Sequence, residues 1–238
     1  MRILAFETSA KAASVAIVEY GRLLAESYQN TGLTHSQTIL AMAESMLSAC
    51  GLGPQDIDAV AVAGGPGSFT GVRIGVAAAK GFAWGREIPL YGVSTLEAMA
   101  RSLGQYSGII CAAMDARRSQ VYNAIFRAEA GKLTRLREDR AISLQELGED
   151  LKTFPEEIFL VGDGAALCHS TLADSLPSLR LVPEHRRHQR AGGVALAAME
   201  LARTGERGDA GAMQPNYLRL SQAERERAER MAGGGEKP

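Results

Sequence analysis

Apolar residues fall along this chain in short runs separated by polar turns and by stretches of helical period. Residues 2–6 (RILAF) form a compact apolar run broken by Glu7-Thr8-Ser9. Residues 13–18 (ASVAIV) and 23–28 (LLAESY) resume strand-like composition around a turn at Gly21, which together predict a β-meander. From Thr34 to about Cys50 the period changes to 3.6. Ile39, Leu40, Ala43, Met46, Leu47 and Cys50 make an apolar stripe, Thr34 is a capping residue, and Gly51, Gly53 and Pro54 end the helix. Residues 58–63 (DAVAVA) read as a buried strand running into Gly64-Gly65-Pro66-Gly67, followed by a helix over 68–84 and a strand over 88–93.

The second half replays this order. Strands are predicted at 109–114 and 121–126, with a turn at Gly131 leading into Lys132-Leu133, and a helix at 143–152. A strand at 158–161 ends in Gly162-Asp163-Gly164. A helix near 165–175, a strand at 179–182 and an Ala-rich helix at 192–203 follow. Overlaying AFETSAKAASVAIV on AMDARRSQVYNAIF puts acid on acid, Glu7 on Asp115, and DAVAVAGGPG overlays EIFLVGDG. The ordered set argues for an internal duplication: an α/β chain with two βββαβα-type halves, divided as 1–103 and 104–220. That plan is the duplicated actin-like (ASKHA, ribonuclease H-like) one, shared by ATPases and sugar kinases, and by itself it assigns no activity. Residues 221–238, charged and then Gly-rich, are predicted to be a disordered tail.

Composition narrows the function classes. Hydrophobic residues make up 46% of the 238 and charged residues 22%, a globular mix, and no apolar run approaches the roughly 18 residues needed to span a bilayer. The opening MRILAFETS turns polar too early for a secretory segment, so a cytoplasmic location without membrane association is expected. Cys50, Cys111 and Cys168 are widely spaced, which predicts reduced thiols and no zinc site. Formal net charge is −1, whereas strong independent binding of nucleic acid draws on a basic excess. Any contact with nucleic acid is therefore expected only through a complex.

Two segments carry candidate chemistry. Glycines where a strand meets a helix permit a tight turn, and the open N–H groups of the helix can hold an anion. Gly65 and Gly67, with the hydroxyl-rich turn Thr8-Ser9 and with Lys11, are thus candidate nucleotide contacts, ATP or ADP being held weakly or at an interface. A ligand-free βα turn satisfies the same residues. The 68–84 helix is apolar nearly all round, with Gly71, Gly75, Ala78 and Gly81 inside it. A helix-interior glycine costs about 1 kcal/mol relative to alanine, so close packing on several sides is implied. The candidate partner surface is Gly71, Ile74, Gly75 and Ala78 of this helix with Ala41 and Met42, read as lying off the core stripe of the 34–50 helix. Burial within the one chain is the competing reading. His185 and His188 stand three apart, but three neighbouring arginines disfavour a cation there. No catalytic constellation and no metal site is predicted.

GGPGSFTGVRIG, preceded by DAVAVA and by the opening ILAFETS, resembles the TsaB (YeaZ) family, and Gln214-Pro215-Asn216-Tyr217-Leu218-Arg219 fits it too. The resemblance covers essentially the whole chain. It implies a role in threonylcarbamoyladenosine (t6A) synthesis at tRNA position 37, beside the catalytic paralogue TsaD and the ATPase TsaE. The helices at 34–50 and 68–84 are expected to pack against the corresponding helices of TsaD, or of a second copy as a homodimer when the chain is alone. Where TsaD has a His-His-Leu-Glu-Gly-His stretch whose two metal-binding histidines stand four apart, this chain has Ser94-Thr95-Leu96-Glu97-Ala98-Met99. Thr95 and Met99 are poor donors for a divalent ion, so the resemblance implies a non-catalytic, activating subunit. A stand-alone actin-like ATPase or phosphotransferase is the alternative, with Glu7 and Asp115 at its two acid positions.

Overall fold

A computed structural model describes residues 1–219, so the expected tail at 221–238 lies outside the described residues. The elements are β1 (Arg2–Glu7), β2 (Ala13–Glu19), β3 (Arg22–Gln29), α1 (His35–Ala49), β4 (Ala59–Gly65), α2 (Phe69–Trp84), β5 (Leu90–Ser94) and α3 (Thr95–Arg101) in the first half. The second half has β6 (Gly108–Asp115), β7 (Gln120–Glu129), β8 (Lys132–Ser143), α4 (Leu144–Leu151), β9 (Ile158–Val161), α5 (Ala165–Leu172), β10 (Leu179–Leu181), α6 (Glu184–Arg187) and α7 (Ala191–Arg203).

Two five-stranded sheets result, ordered β3-β2-β1-β4-β5 and β8-β7-β6-β9-β10. In each, an antiparallel meander is extended by two parallel strands on the far side of its first strand. The halves are therefore true repeats of one topology, the duplicated actin-like plan. β1 and β6 are central and covered on both faces, which explains why RILAF and IICAAM are continuous apolar runs and do not alternate.

The two faces of the first sheet differ in side-chain size. Leu4, Phe6, Val15, Ile17, Val60 and Val62 meet α1 and α2. On the other face, Ala5, Ala16, Ala59, Ala61 and Ala63, with the larger Ile3, Val18, Tyr91 and Val93, meet the Ala-rich α7. Small residues on both partners let α7 lie close on the sheet. In the second sheet α4 and α5 cover one face, while Leu96, Met99 and Leu103, from α3 and the residues just after it, cover the other. A sequence division at 103/104 separates the two sheets but not their cores, because α7 returns to the first sheet and α3 serves the second.

Two details correct the sequence reading. On α1 the buried stripe is Ile39, Met42, Ala43, Met46 and Leu47, while Leu40 is 55% exposed. Steps of three and four from Ile39 land on Met42, so it points into the core, and Leu40, about 100° round the helix, points out. β8 is a twelve-residue strand where only its first two residues stood out in the sequence. Its arginines are held by ion pairs: Arg135 with Glu97 and Asp139, and Arg137 and Arg140 with Asp150. Such charge suits an edge strand.

Candidate functional site

The two halves face each other across a cleft of about 670 Å³, lined by Ser9 and Lys11 from the β1–β2 turn, Gly67 to Thr70 at the start of α2, Asp115 to Arg117 from the β6–β7 turn, and Asp163. The equivalent acids take part in the same local motif. Glu7 Oε1 accepts the Ser9 N–H at 2.5 Å, and Asp115 Oδ1 accepts the Arg117 N–H at 2.7 Å. Their surroundings differ: Glu7 is buried, Asp115 exposed. Burial pushes the Glu7 carboxyl up to about 7, and the nearby Asp163 charge adds to the shift, against the Ser9 hydrogen bonds. Asp163, exposed at the cleft mouth, is itself raised, chiefly by desolvation of its carboxyl among neighbouring groups, and accepts from Gln189 Nε2 at 2.8 Å. Oε2 of Glu7, Oγ of Ser9 and Oε1 of Gln189 are buried with no hydrogen-bond partner.

Of the candidate nucleotide contacts, Ser9, Lys11 and Gly67 are brought together at the cleft. Thr8 and Gly65 are not among its lining residues. The Thr8 hydroxyl donates to the Gly71 carbonyl at 2.7 Å. Gly65 has φ +116 and sits so close to the Asn216 carbonyl oxygen that a Cβ would overlap it. At Gly67 an added Cβ would meet the Ser9 side chain at 2.8 Å. The glycine loop is thus shaped by its own chain: Ser68 N–H donates to Ser9 O at 2.6 Å and Asn216 N–H to Gly64 O at 2.6 Å. Asp163, Tyr217 and Arg219 also line the cleft; the Gly-Asp-Gly loop and the QPNYLR segment stood out in the sequence, but nothing there placed them on the cleft.

The candidate partner residues divide. Ala41 is exposed, and Ile74 and Ala78 are half-buried at the edge of the first core. Met42 is buried under α1, as noted above. Gly71 and Gly75 face inward, where side chains would overlap the Thr8 carbonyl and hydroxyl oxygens. Their small size is accounted for by β1 packing within the chain, which corrects the reading of them as an outward seam. The face of α2 that does point outward runs through Thr70, Arg73, Ala77, Gly81 and Trp84, with Trp84 68% exposed. On α1, Leu40 and Ala41 are exposed among polar neighbours, so the two helices leave apolar side chains that neither sheet covers.

Thr95 and Met99 stand one turn apart on α3, both buried, with Met99 packed in the second core. No group of three His, Cys, Asp or Glu side chains converges on a possible metal position among the described residues. His188 lies beyond the end of α6 in extended backbone and bonds Glu184 at 2.8 Å, so it and His185 do not share a helix face. No helix among the described residues is long and apolar enough to cross a membrane.

Comparison with known proteins agrees with this architecture. Residues 29–227 match the family model described as TsaD, tRNA N6-adenosine threonylcarbamoyltransferase. The tRNA threonylcarbamoyladenosine biosynthesis protein TsaB of Bacillus subtilis is 33% identical over 225 residues, covering 94% of this chain and 96% of that protein. The Escherichia coli TsaB is 38% identical over 167 residues, 69% of this chain and 72% of its own length. The solved structure of YeaZ from Pseudomonas aeruginosa superposes with a TM-score of 0.73 at 26% identity, over 91% of this chain and 99% of that one. Component A of the Acidaminococcus fermentans (R)-2-hydroxyglutaryl-CoA dehydratase, at 12% identity and a TM-score of 0.51, shares the fold alone. With the meander, the glycine loop and the QPNYLR segment all in place, and with this identity over nearly the full length of a named member, the chain belongs to the TsaB (YeaZ) family.

Proposed function

We propose that this chain is the non-catalytic, activating subunit of a t6A synthesis complex acting on tRNA adenosine in the cytoplasm. It docks on a TsaD-like paralogue, works with a TsaE-like ATPase, meets tRNA only through the complex, and pairs with a second copy when the paralogue is absent. The observation that carries this reading is the exposure of apolar side chains that neither sheet covers, Leu40 and Ala41 on α1 and Ala77 and Trp84 on α2. A related chain with the same two helices offers a matching surface, and two such pairs make a four-helix seam about a two-fold or pseudo-two-fold axis.

In this reading the cleft is vestigial for chemistry, and ATP or ADP binds the isolated chain weakly or at a shared interface. The test is reconstitution. Purified TsaD and TsaE homologues from the same genome, with tRNA and a threonylcarbamoyl donor, are expected to form t6A only when this chain is added, and the chain alone to form none. Light scattering is expected to show one mixed complex with the TsaD homologue.

Asp115 and Asp163 on the cleft, with Glu7 buried behind the β1–β2 turn, favour a second reading, a stand-alone actin-like ATPase or phosphotransferase. Steady ATP turnover by the pure chain, abolished in Asp115→Asn, would establish it and displace the first.

A further inference from the structure

The cleft is crossed by the chain's own C-terminal segment. After α7 the chain runs back along β5 to the end of β4: Gly208 lies against the Leu90 backbone, where an added Cβ would meet the carbonyl oxygen at 2.8 Å. Met213 covers Gly64 and Gly92, and a side chain on either glycine would collide with it. Asn216 is tied by its backbone to the Gly64 carbonyl. Tyr217 stacks on Phe69 with ring centroids 4.6 Å apart. The Arg73 guanidinium lies 3.9 Å above the Phe69 ring, and its Nε donates to the Tyr217 hydroxyl at 2.9 Å. Two residues on, Arg219 reaches the other lobe and donates to the Ala116 carbonyl at 3.0 Å.

That acceptor lies in an unusual turn. Arg117, Arg118 and Ser119 all have positive φ, at 62, 55 and 56, and the turn is held by Ala116 N–H to Gln120 O and Leu144 N–H to Ser119 O. The lobes also meet through α3 and α7, where Gly193 lies so close to Ala98 that a Cβ would stand 2.9 Å from its carbonyl carbon. A pair of lobes joined by packed helices opens and closes by small movements there unless something spans the cleft between them.

We propose that residues 213–219 are an interlobe latch. Met213 and Asn216 fix it to the first lobe, Tyr217 ties it to α2, and Arg219 hooks it to the β6–β7 turn of the second. Cleft width and the seating of α2 are thereby set together. Because Phe69 and Arg73 belong to the helix whose outer face is assigned to docking, releasing the latch also loosens that face. This last consequence rests on the docking reading; the latch itself does not.

Hydrogen exchange on the full-length chain tests it, comparing wild type with Arg219→Ala, Tyr217→Ala and Tyr217→Phe. The amides of β1 serve as the internal reference for global stability. Arg219→Ala is expected to speed exchange about fivefold, the worth of one typical hydrogen bond, at the Ala116 and Gln120 amides. The decisive variant is Tyr217→Ala. A latch transmits its loss across the cleft, so the same second-lobe amides accelerate relative to β1 although Tyr217 makes no hydrogen bond to them. Tyr217→Phe, which keeps the stack and drops only the hydroxyl, gives the same pattern at smaller amplitude and carries the test where Tyr217→Ala destabilises the whole chain. Acceleration confined to residues 64–74 in both Tyr217 variants would overturn the latch. Coupled exchange with unaltered binding of the TsaD homologue would leave the latch standing and remove its link to docking.

Discussion

Thr8, just past the end of β1, and Gly75, in the second turn of α2, occupy what is in effect one residue's space: a Cβ on Gly75 would overlap the Thr8 hydroxyl, which is turned to donate to the Gly71 carbonyl at 2.7 Å. The two glycines four apart are the imprint of a strand end on a helix. Gly75→Ala trades a helix-propensity gain of about 1 kcal/mol against overpacking of about 1–3 kcal/mol. The expected outcome is net destabilisation by roughly 1 kcal/mol, measured by urea denaturation followed by circular dichroism. Gly75→Arg is expected to unfold the chain, with loss of pairing as a by-product. A folded Gly75→Arg protein that merely fails to pair would show that the glycine faces a partner after all.

The same pair shows where sequence reasoning succeeds and where it stops. Glycines on a helix announce close approach, but not what approaches. Periodicity located α1, yet only the strict three-and-four spacing from Ile39 separates Met42, inside, from Leu40, outside. The repeat was legible because central strands buried on both faces leave unbroken apolar runs. β8 was not, because the hydrophobic signal of an edge strand is replaced by arginines whose carboxylate partners lie on α3, within β8 and on α4. α3 carried a usable signature, Ser94 with Glu97 three residues on, and the Ser94 hydroxyl does accept the Glu97 N–H at 3.2 Å. At the cleft, the acids and the first turn were visible in the sequence. The crossing of residues 213–219 depends on contacts made more than a hundred residues apart, which no local pattern encodes.

Glu7 makes stability depend on pH. Its carboxyl stands at about 7 in the folded chain against 4.5 for the ordinary group, so the folded state holds the proton more tightly. Below about pH 4.5 both states are protonated and nothing is lost. Between about 4.5 and 7 the unfolded chain has released its proton and the folded chain has not, so stability falls as pH rises, by roughly 3 kcal/mol in all. Asp163, also raised by desolvation of its carboxyl, acts in the same direction. Glu7→Gln keeps an oxygen for the Ser9 N–H and removes the charge. It is expected to be more stable than the wild type at pH 8 and to flatten the slope between pH 5 and 7, read from urea midpoints across that range. An unchanged slope would place the titration elsewhere.

The isolated chain is expected to bind ATP or ADP weakly. Thr8 is engaged with Gly71, Gly65 with Asn216 and Gly67 with Ser9, which leaves Lys11 and the first N–H groups of α2 as the principal phosphate contacts on that lobe. One charge and a helix end contribute about 1–2 kcal/mol, far short of the roughly 8 kcal/mol behind micromolar affinity. Calorimetry is expected to show no submicromolar site, with or without magnesium. Metal analysis of the same preparation is expected to show no stoichiometric zinc or iron. A submicromolar nucleotide constant would promote the ATPase reading.

The docking face is best probed on residues that the chain itself does not need. Ala77 is exposed on α2, one turn before Gly81 and two before Trp84. An arginine there projects into solvent in the free chain, and a surface change of this kind alters stability by about 0.5 kcal/mol or less. In a helix-to-helix seam the same guanidinium is buried without a partner, which costs several kcal/mol, against the roughly 8 kcal/mol that holds a micromolar complex together. Ala77→Arg is therefore expected to keep its circular dichroism and urea midpoint while losing both self-association and binding of the TsaD homologue. Trp84 supplies an independent readout. It is the single tryptophan of the chain and is 68% exposed, so docking on this face is expected to shift its emission to shorter wavelength and to shield it from iodide. Self-pairing and hetero-pairing would use the same surface, so titrating the TsaD homologue into the homodimer should dissolve one complex as the other forms. A folded Ala77→Arg variant that still binds the TsaD homologue, or a Trp84 spectrum indifferent to it, places the interface on another face.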